Sequence, residues 1–143
     1  MMPYFLLSLA AETEALRINR ALRVLVVEDS FMTARMIVRM LESFGAEVVG
    51  PASSVKAAMK LLDTQMPDGA VLDINLGAET VEPVAKRLEE NGLPFFFVSG
   101  YSSPKSVLSD PRFKERRLLP KPVDPRDFQT AVCETMQGGG HRA

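Results

Sequence analysis

A single cysteine in 143 residues, Cys133, leaves nothing with which to close an internal disulfide, and no cysteine cluster offers the spaced thiolates of a zinc site. This usage fits a reducing cytoplasm, with Cys133 as a small helix residue. A basic excess is missing as well: 17 Lys and Arg face 18 Asp and Glu, for a formal net charge of -1. Binding to a nucleic-acid backbone normally needs a clustered positive surplus, so nucleic acid is not an expected direct partner. Long apolar runs are also absent. The apolar patch from Tyr4 to Ala11 falls far short of the ~20 residues that cross a bilayer. No basic residue precedes it, and Glu12 and Glu14 follow it, which argues against a secretory signal. Membrane insertion is therefore not expected. Repeats and low-complexity tracts are missing apart from three glycines at 138–140.

What the chain does have is enough apolar material for one globular domain with a substantial core: 46% hydrophobic against 24% charged residues. Little room remains for an attached output module. From Arg23 onward, short β-rich runs alternate with amphipathic stretches, the pattern of an α/β parallel sheet covered by helices on both faces. Strands are expected at 23–27 (RVLVV), 46–50 (AEVVG), 69–74 (GAVLDI), 95–99 (FFFVS) and 117–120 (RLLP). The first, third and fourth are continuously apolar, as strands buried on both faces are, and the Phe95-Phe96-Phe97 triplet is read as core.

The spacing predicts a helix over 33–44, where Met36, Val38, Met40, Leu41 and Phe44 recur in helical rhythm before Gly45. A second is expected at 54–65 behind the capping-type Ser54, with Val55, Ala58, Met59 and Leu62 on one side. Two more are expected at 81–90 and 125–136. Ser102, Ser103, Pro104, Ser109, Asp110 and Pro111 crowd the stretch 102–116 with turn formers. A short or loose helix is expected there. Its apolar residues Val107, Leu108 and Phe113 offer little continuous surface to bury, so it should be the most mobile segment. The domain thus covers 23–137. Residues 1–22 form an N-terminal extension, either an extra helix, with Leu9, Thr13, Leu16 and Arg20 at helical spacing, or a poorly ordered tail. Residues 138–143 form a flexible tail in which His141 has no expected role.

In a doubly wound parallel sheet, functional groups gather at the carboxyl ends of the strands. The first expected strand leads into Glu28 and Asp29, the third into Asp73, the fourth into Ser99 and the fifth into Lys121. A strand order of 2-1-3-4-5 makes these four strands neighbours, so one pocket can hold all five side chains. Each residue has a plainer reading. Asp29 or Ser30 can cap a helix, Ser99 can bond locally in a turn, and Lys121 can be a solvated surface charge. Together, however, three carboxylates repel one another unless something compensates them. A divalent cation does so, and hard carboxylate oxygens with room for water and phosphate suit Mg²⁺.

The strings LVVEDS, VLDINL, VSGY and PKP follow one another in that order, and the sequence over 23–137 resembles the receiver domains of two-component signalling. PFFFVSGY at 94–101 and NLGAETVEPVAKRL after Asp73, with Glu79 and Pro83-Val84-Ala85, are similar to the alphaproteobacterial FATGUY receivers. The resemblance implies a flavodoxin-like fold and a single-domain response regulator. In such a protein Asp73 would be the nucleophile that accepts a phosphoryl group from a sensor histidine kinase. Asp29 would bind Mg²⁺ directly, Glu28 through a water, and Asn75 through its backbone carbonyl, with Asp73 completing the set. Lys121 and the Ser99 hydroxyl would contact phosphoryl oxygens. The Asn75 side chain would orient a water for slow self-dephosphorylation, or is a plain loop amide. A cis Lys121-Pro122 bond and signalling through contacts with a downstream protein are also implied, with no enzymatic turnover of another substrate.

Two departures stand out. Val98-Ser99 replaces the Ala-Thr of the subgroup but keeps the hydroxyl. Leu118 stands where most receivers carry a switch aromatic, which makes Tyr101 a candidate replacement and loosens the expected hold on the adjoining segment. Leu118 also keeps open a second function, a phosphorylation-independent pseudo-receiver serving as an interaction module. A phosphohydrolase on a similar sheet would need a second aspartate two residues past the nucleophile, where Asn75 stands.

Overall fold

Strand-forming runs and amphipathic helices alternate as expected in the computed structural model, which describes residues 21–100 and 107–137. The expectations for 1–20, for Tyr101 and 102–106, and for 138–143 with His141 lie outside the described residues. Strands β1 (Arg23–Val27), β2 (Glu47–Ala52), β3 (Gly69–Asp73), β4 (Phe95–Ser99) and β5 (Leu118–Pro120) form one parallel sheet. Their order is β2-β1-β3-β4-β5, the flavodoxin-like topology. β5 lies at an edge, where Pro120 with its missing N–H is tolerated. β2 reaches two residues further than expected because it bends: Gly50 takes φ +98° before a cis Gly50-Pro51 bond. A Cβ on Gly50 would stand 2.8 Å from the Ala52 nitrogen, so the bend needs glycine.

Helices α1 (Phe31–Ser43), α2 (Val55–Thr64), α3 (Glu82–Glu90) and α4 (Pro125–Val132) cover the sheet, and α4 continues into a π turn at Cys133–Gln137. Ser30, Ser54 and Asp124 cap α1, α2 and α4 by accepting from the N–H groups of Thr33, Ala57 and Asp127. β1 explains how the interior is divided. Leu25 and Val27 point to the side of α2 and α3, among Ala58, Leu62, Val84, Leu88 and Phe97. Val24 and Val26 point to the side of α1 and α4, among Ile37, Leu41, Phe96 and Phe128. Alternate residues of one strand therefore enter different clusters, which is why the run is continuously apolar. All three phenylalanines at 95–97 are buried core. Phe113 meets Phe95 and Phe97 edge-on, with ring centroids 5.9 and 6.5 Å away, while Phe96 meets Phe128 on the other side at 5.9 Å.

Two expectations need correction. The inner face of α1 is Ala34, Ile37 and Leu41, whereas Met36 is 48% exposed, so the rhythm read through Met36 is one residue out of step. Small Ala34 allows close approach to the sheet, and the flexible Met40 is left to pack at the cluster's margin. The second concerns 102–116. The turn formers do prevent a regular α-helix, and a 3-10 helix occupies Pro111–Glu115 behind an Asp110 cap. Its apolar residues nevertheless have a place: Leu108 and Phe113 are fully buried. One tight turn suffices to aim Phe113 between two rings of β4, and continuity of surface is not required.

Candidate functional site

The carboxyl ends of β1, β3, β4 and β5 lie side by side because those strands are neighbours in register. Glu28 follows β1, with its N–H held by the Ala52 carbonyl at 2.9 Å, and Asp73 closes β3. Val98 is the register partner of Asp73, and Ser99, 1% exposed, is the next residue along β4. Lys121 follows β5, its N–H donating to the Ser99 carbonyl at 2.9 Å. The Lys121-Pro122 bond is cis, as the resemblance implies.

The side chains converge. Lys121 Nζ stands 2.9 Å from Glu28 Oε1 and 3.2 Å from Asp73 Oδ2. The Ser30 N–H donates to Glu28 Oε2 at 3.0 Å, and the Asn75 N–H to Asp73 Oδ1 at 3.4 Å. Glu28, Asp29 and Asp73 each offer a carboxylate oxygen within 4.8 Å of the other two, with Glu28 and Asp73 buried and Asp29 exposed. Burial, together with the hydrogen bond and charge of Glu28, pushes the Asp73 carboxyl up from 3.8 to about 7 against the opposing pull of Lys121. For Lys121, burial acts to lower the ammonium's pKa, but contacts with Glu28 and Asp73 outweigh it and the pKa is raised. One ammonium is thus shared by two buried carboxylates, with a third at the rim.

Glu28 Oε1 is buried without an aligned hydrogen bond, and its contact with Lys121 is a charge contact alone. An under-satisfied buried oxygen, a surplus of negative charge and an all-oxygen donor set fit a hard divalent cation such as Mg²⁺. Glu28, Asp29 and Asp73 are the side chains able to hold it, with the Asn75 backbone at the margin.

Two features of the surroundings escape a reading of the sequence. After Asp73 the chain makes a hairpin from two short antiparallel strands, Asn75–Leu76 and Glu79–Thr80, turning at Gly77 with φ +74°. A Cβ on Gly77 would lie 3.7 Å from Asp29 Oδ2, so the turn flanks the carboxylates. The Val81 N–H donates to the Ile74 carbonyl at 2.9 Å, and Glu79 Oε2 accepts from the Val55 N–H at 3.1 Å. The Leu-Gly dipeptide is the one local signal for this turn. The second feature is Glu82, buried at the start of α3. It accepts from the Ser109 N–H at 3.0 Å, the Ser109 hydroxyl at 2.8 Å and the Asp110 N–H at 2.8 Å. Burial would raise its pKa, yet these bonds lower it. Partners 27 residues apart leave no periodic trace in the sequence. Leu118 is half-buried against the α2–α3 cluster, paired with Phe97 across the sheet.

The model of the response regulator receiver domain family matches residues 24–133. Among curated proteins, the phyllosphere-induced regulator PhyR of Methylorubrum extorquens is 25% identical over 121 residues, or 82% of this chain and 45% of the relative. A protein-glutamate methylesterase/protein-glutamine glutaminase of Halalkalibacterium halodurans is 38% identical over 80 residues, or 54% of this chain and 23% of that protein. The chain therefore spans less than half the length of either curated relative. The solution structure of SdrG from Sphingomonas melonis Fr1 superposes with a TM-score of 0.69 at 34% identity, covering 79% of this chain and 94% of that one.

Proposed function

The chain belongs to the response regulator receiver domain family, and from that premise we propose that it is a cytoplasmic phosphoacceptor, taking a phosphoryl group on Asp73 from a sensor histidine kinase. The observation that carries this reading is the single Lys121 ammonium set between Glu28 and Asp73, at 2.9 and 3.2 Å.

An Asp73 oxygen attacks the phosphorus in line. The new oxygen–phosphorus bond forms as the bond to the donor's imidazole nitrogen breaks, and the imidazole leaves with the electron pair. The Asn75 N–H on Oδ1 and the Lys121 ammonium on Oδ2 fix the plane of the carboxylate for that attack. Lys121, a compact cation on a flexible stem, then follows the phosphoryl oxygens, and the Ser99 hydroxyl donates to another of them. Mg²⁺ bound by Glu28, Asp29, Asp73 and the Asn75 carbonyl supplies positive charge to neutralise the nucleophile and the phosphoryl oxygens. The pKa near 7 means that Asp73 is partly protonated without that charge, so the resting pocket is a weak nucleophile.

The product adds roughly -1.5 to -2 charge beside the end of β4. Ser99 and the chain leading from it toward the 3-10 helix are the elements this charge would bias, and a downstream protein would read the change by contact. Likeness to the FATGUY receivers belongs to the same reading. The pseudo-receiver alternative draws on Leu118, which fills its place as core and presents no ring to the pocket. Acetyl phosphate with Mg²⁺, followed by intact-mass measurement, separates the two. One added phosphoryl group in the wild type and none in Asp73→Ala is the expected result. An unlabelled wild type would favour the interaction module.

A further inference from the structure

A hairpin with two residues in each strand has almost no stability of its own, so its conformation depends on what ties it down. The strand Asn75–Leu76 leads directly from Asp73, and its partner Glu79–Thr80 leads into α3. Leu76 is buried, which anchors one strand. The other carries Glu79, whose exposed carboxylate reaches the backbone of a residue 24 positions earlier in the chain. Val55 is the first residue of α2, so its N–H is one of four that no helical carbonyl can satisfy. Ser54 serves the Ala57 N–H, and Glu79 serves that of Val55. A carboxylate at a helix start is also favoured by the helix dipole. α2 in turn is seated in the core by Ala58 and Leu62.

We propose that Glu79 is a positioning residue for the carboxylate pocket, stapling the hairpin to the start of α2 and thereby holding Asn75 and the Gly77 turn beside Asp29 and Asp73. The proposal rests on the phosphoacceptor reading, since it assigns Glu79 a part in cation binding. Glu79 touches neither cation nor phosphoryl group. It acts through the backbone that follows the nucleophile, between a rigid helix and a loop too short to hold itself.

The test is Mg²⁺ titration calorimetry on the full chain, with amide exchange of residues 76–79 followed in parallel. Glu79→Ala should weaken Mg²⁺ binding about tenfold, the scale of a lost supporting contact, and speed exchange at the hairpin while the thermal midpoint of the metal-free protein is kept. Glu79→Gln keeps an acceptor oxygen without the charge and should bind nearly as the wild type does. Val55→Pro removes the donor at a position where proline suits a helix, and should reproduce the loss without adding to that of Glu79→Ala. Unchanged affinity in Glu79→Ala overturns the proposal. So does an equal loss in Glu79→Gln, which would make Glu79 a remote charge. A wild type that binds no Mg²⁺ would instead overturn the phosphoacceptor reading itself.

Discussion

Replacing Asp73 by asparagine should make the metal-free protein more stable, although it destroys the proposed phosphoacceptor. In the native pocket the carboxyl titrates near 7, raised from 3.8 by burial and by Glu28. The native state therefore holds a proton that the unfolded chain releases once the pH exceeds about 4. Stability conferred by that proton is lost as pH rises from about 4 to about 7, and above 7 the full penalty is present. A displacement from 3.8 to about 7 corresponds to roughly 4 kcal/mol. Solvent at the open rim screens much of it, and about 1–2 kcal/mol is the expected gain. The substituted side chain would also be able to donate an amide hydrogen to Glu28, which the carboxylate cannot. On a domain of this size the gain amounts to about 4–8 °C in Tm. Urea unfolding in EDTA at about pH 8 and about pH 4.5, on either side of the native titration, measures it. The variant should exceed the wild type at the higher pH, and the gap should shrink at the lower. Saturating Mg²⁺ should narrow the gap at the higher pH, because the cation compensates the wild-type carboxylates. A gap of the same size at both pH values, or a less stable variant at the higher one, would refute the argument.

The neighbouring groups yield further expectations. Glu82→Ala leaves the Ser109 and Asp110 N–H groups without their acceptor; a loss of about 2 kcal/mol is expected, with amide protection at 109 and 110 lost before that of β4, and unchanged protection there would sink the role of Glu82. Lys121→Ala strips both Glu28 and Asp73 of their counter-charge; the metal-free protein should be less stable in mildly alkaline buffer, with Mg²⁺ restoring most of the loss, and a deficit insensitive to Mg²⁺ would mean that lost packing is responsible.

How far the chain can be read without coordinates follows from the range of the forces involved. β1 and β4 are legible to the residue because strands buried on both faces leave an unbroken apolar run. The converging site residues are legible because a parallel sheet brings strand ends to one edge, so Glu28, Asp73, Ser99 and Lys121 need only be the first polar residues after those runs. Phe113 is not legible: its burial depends on Phe95 and Phe97, which belong to a different element, and the serines and prolines around it signal exposure. Glu82 hides for the same reason, looking like an ordinary solvated charge in the first turn of a helix. In α1, methionines next to the true inner residues blur the phase, because a flexible apolar side chain is tolerated at the margin as readily as inside.

The division of the core by β1 bears on how such a domain can vary. Its two apolar clusters lie on opposite faces of the sheet and share no side chain. Substitutions on one face are separated from those on the other by a layer of backbone, a spacing at which their free-energy effects add and do not couple. The two halves can therefore drift independently, each repacking against its own pair of helices. Only the strand ends answer to both. A lineage could recut the helical surface on the α1–α4 side for a new partner while the α2–α3 side, the hairpin and the carboxylates kept their arrangement.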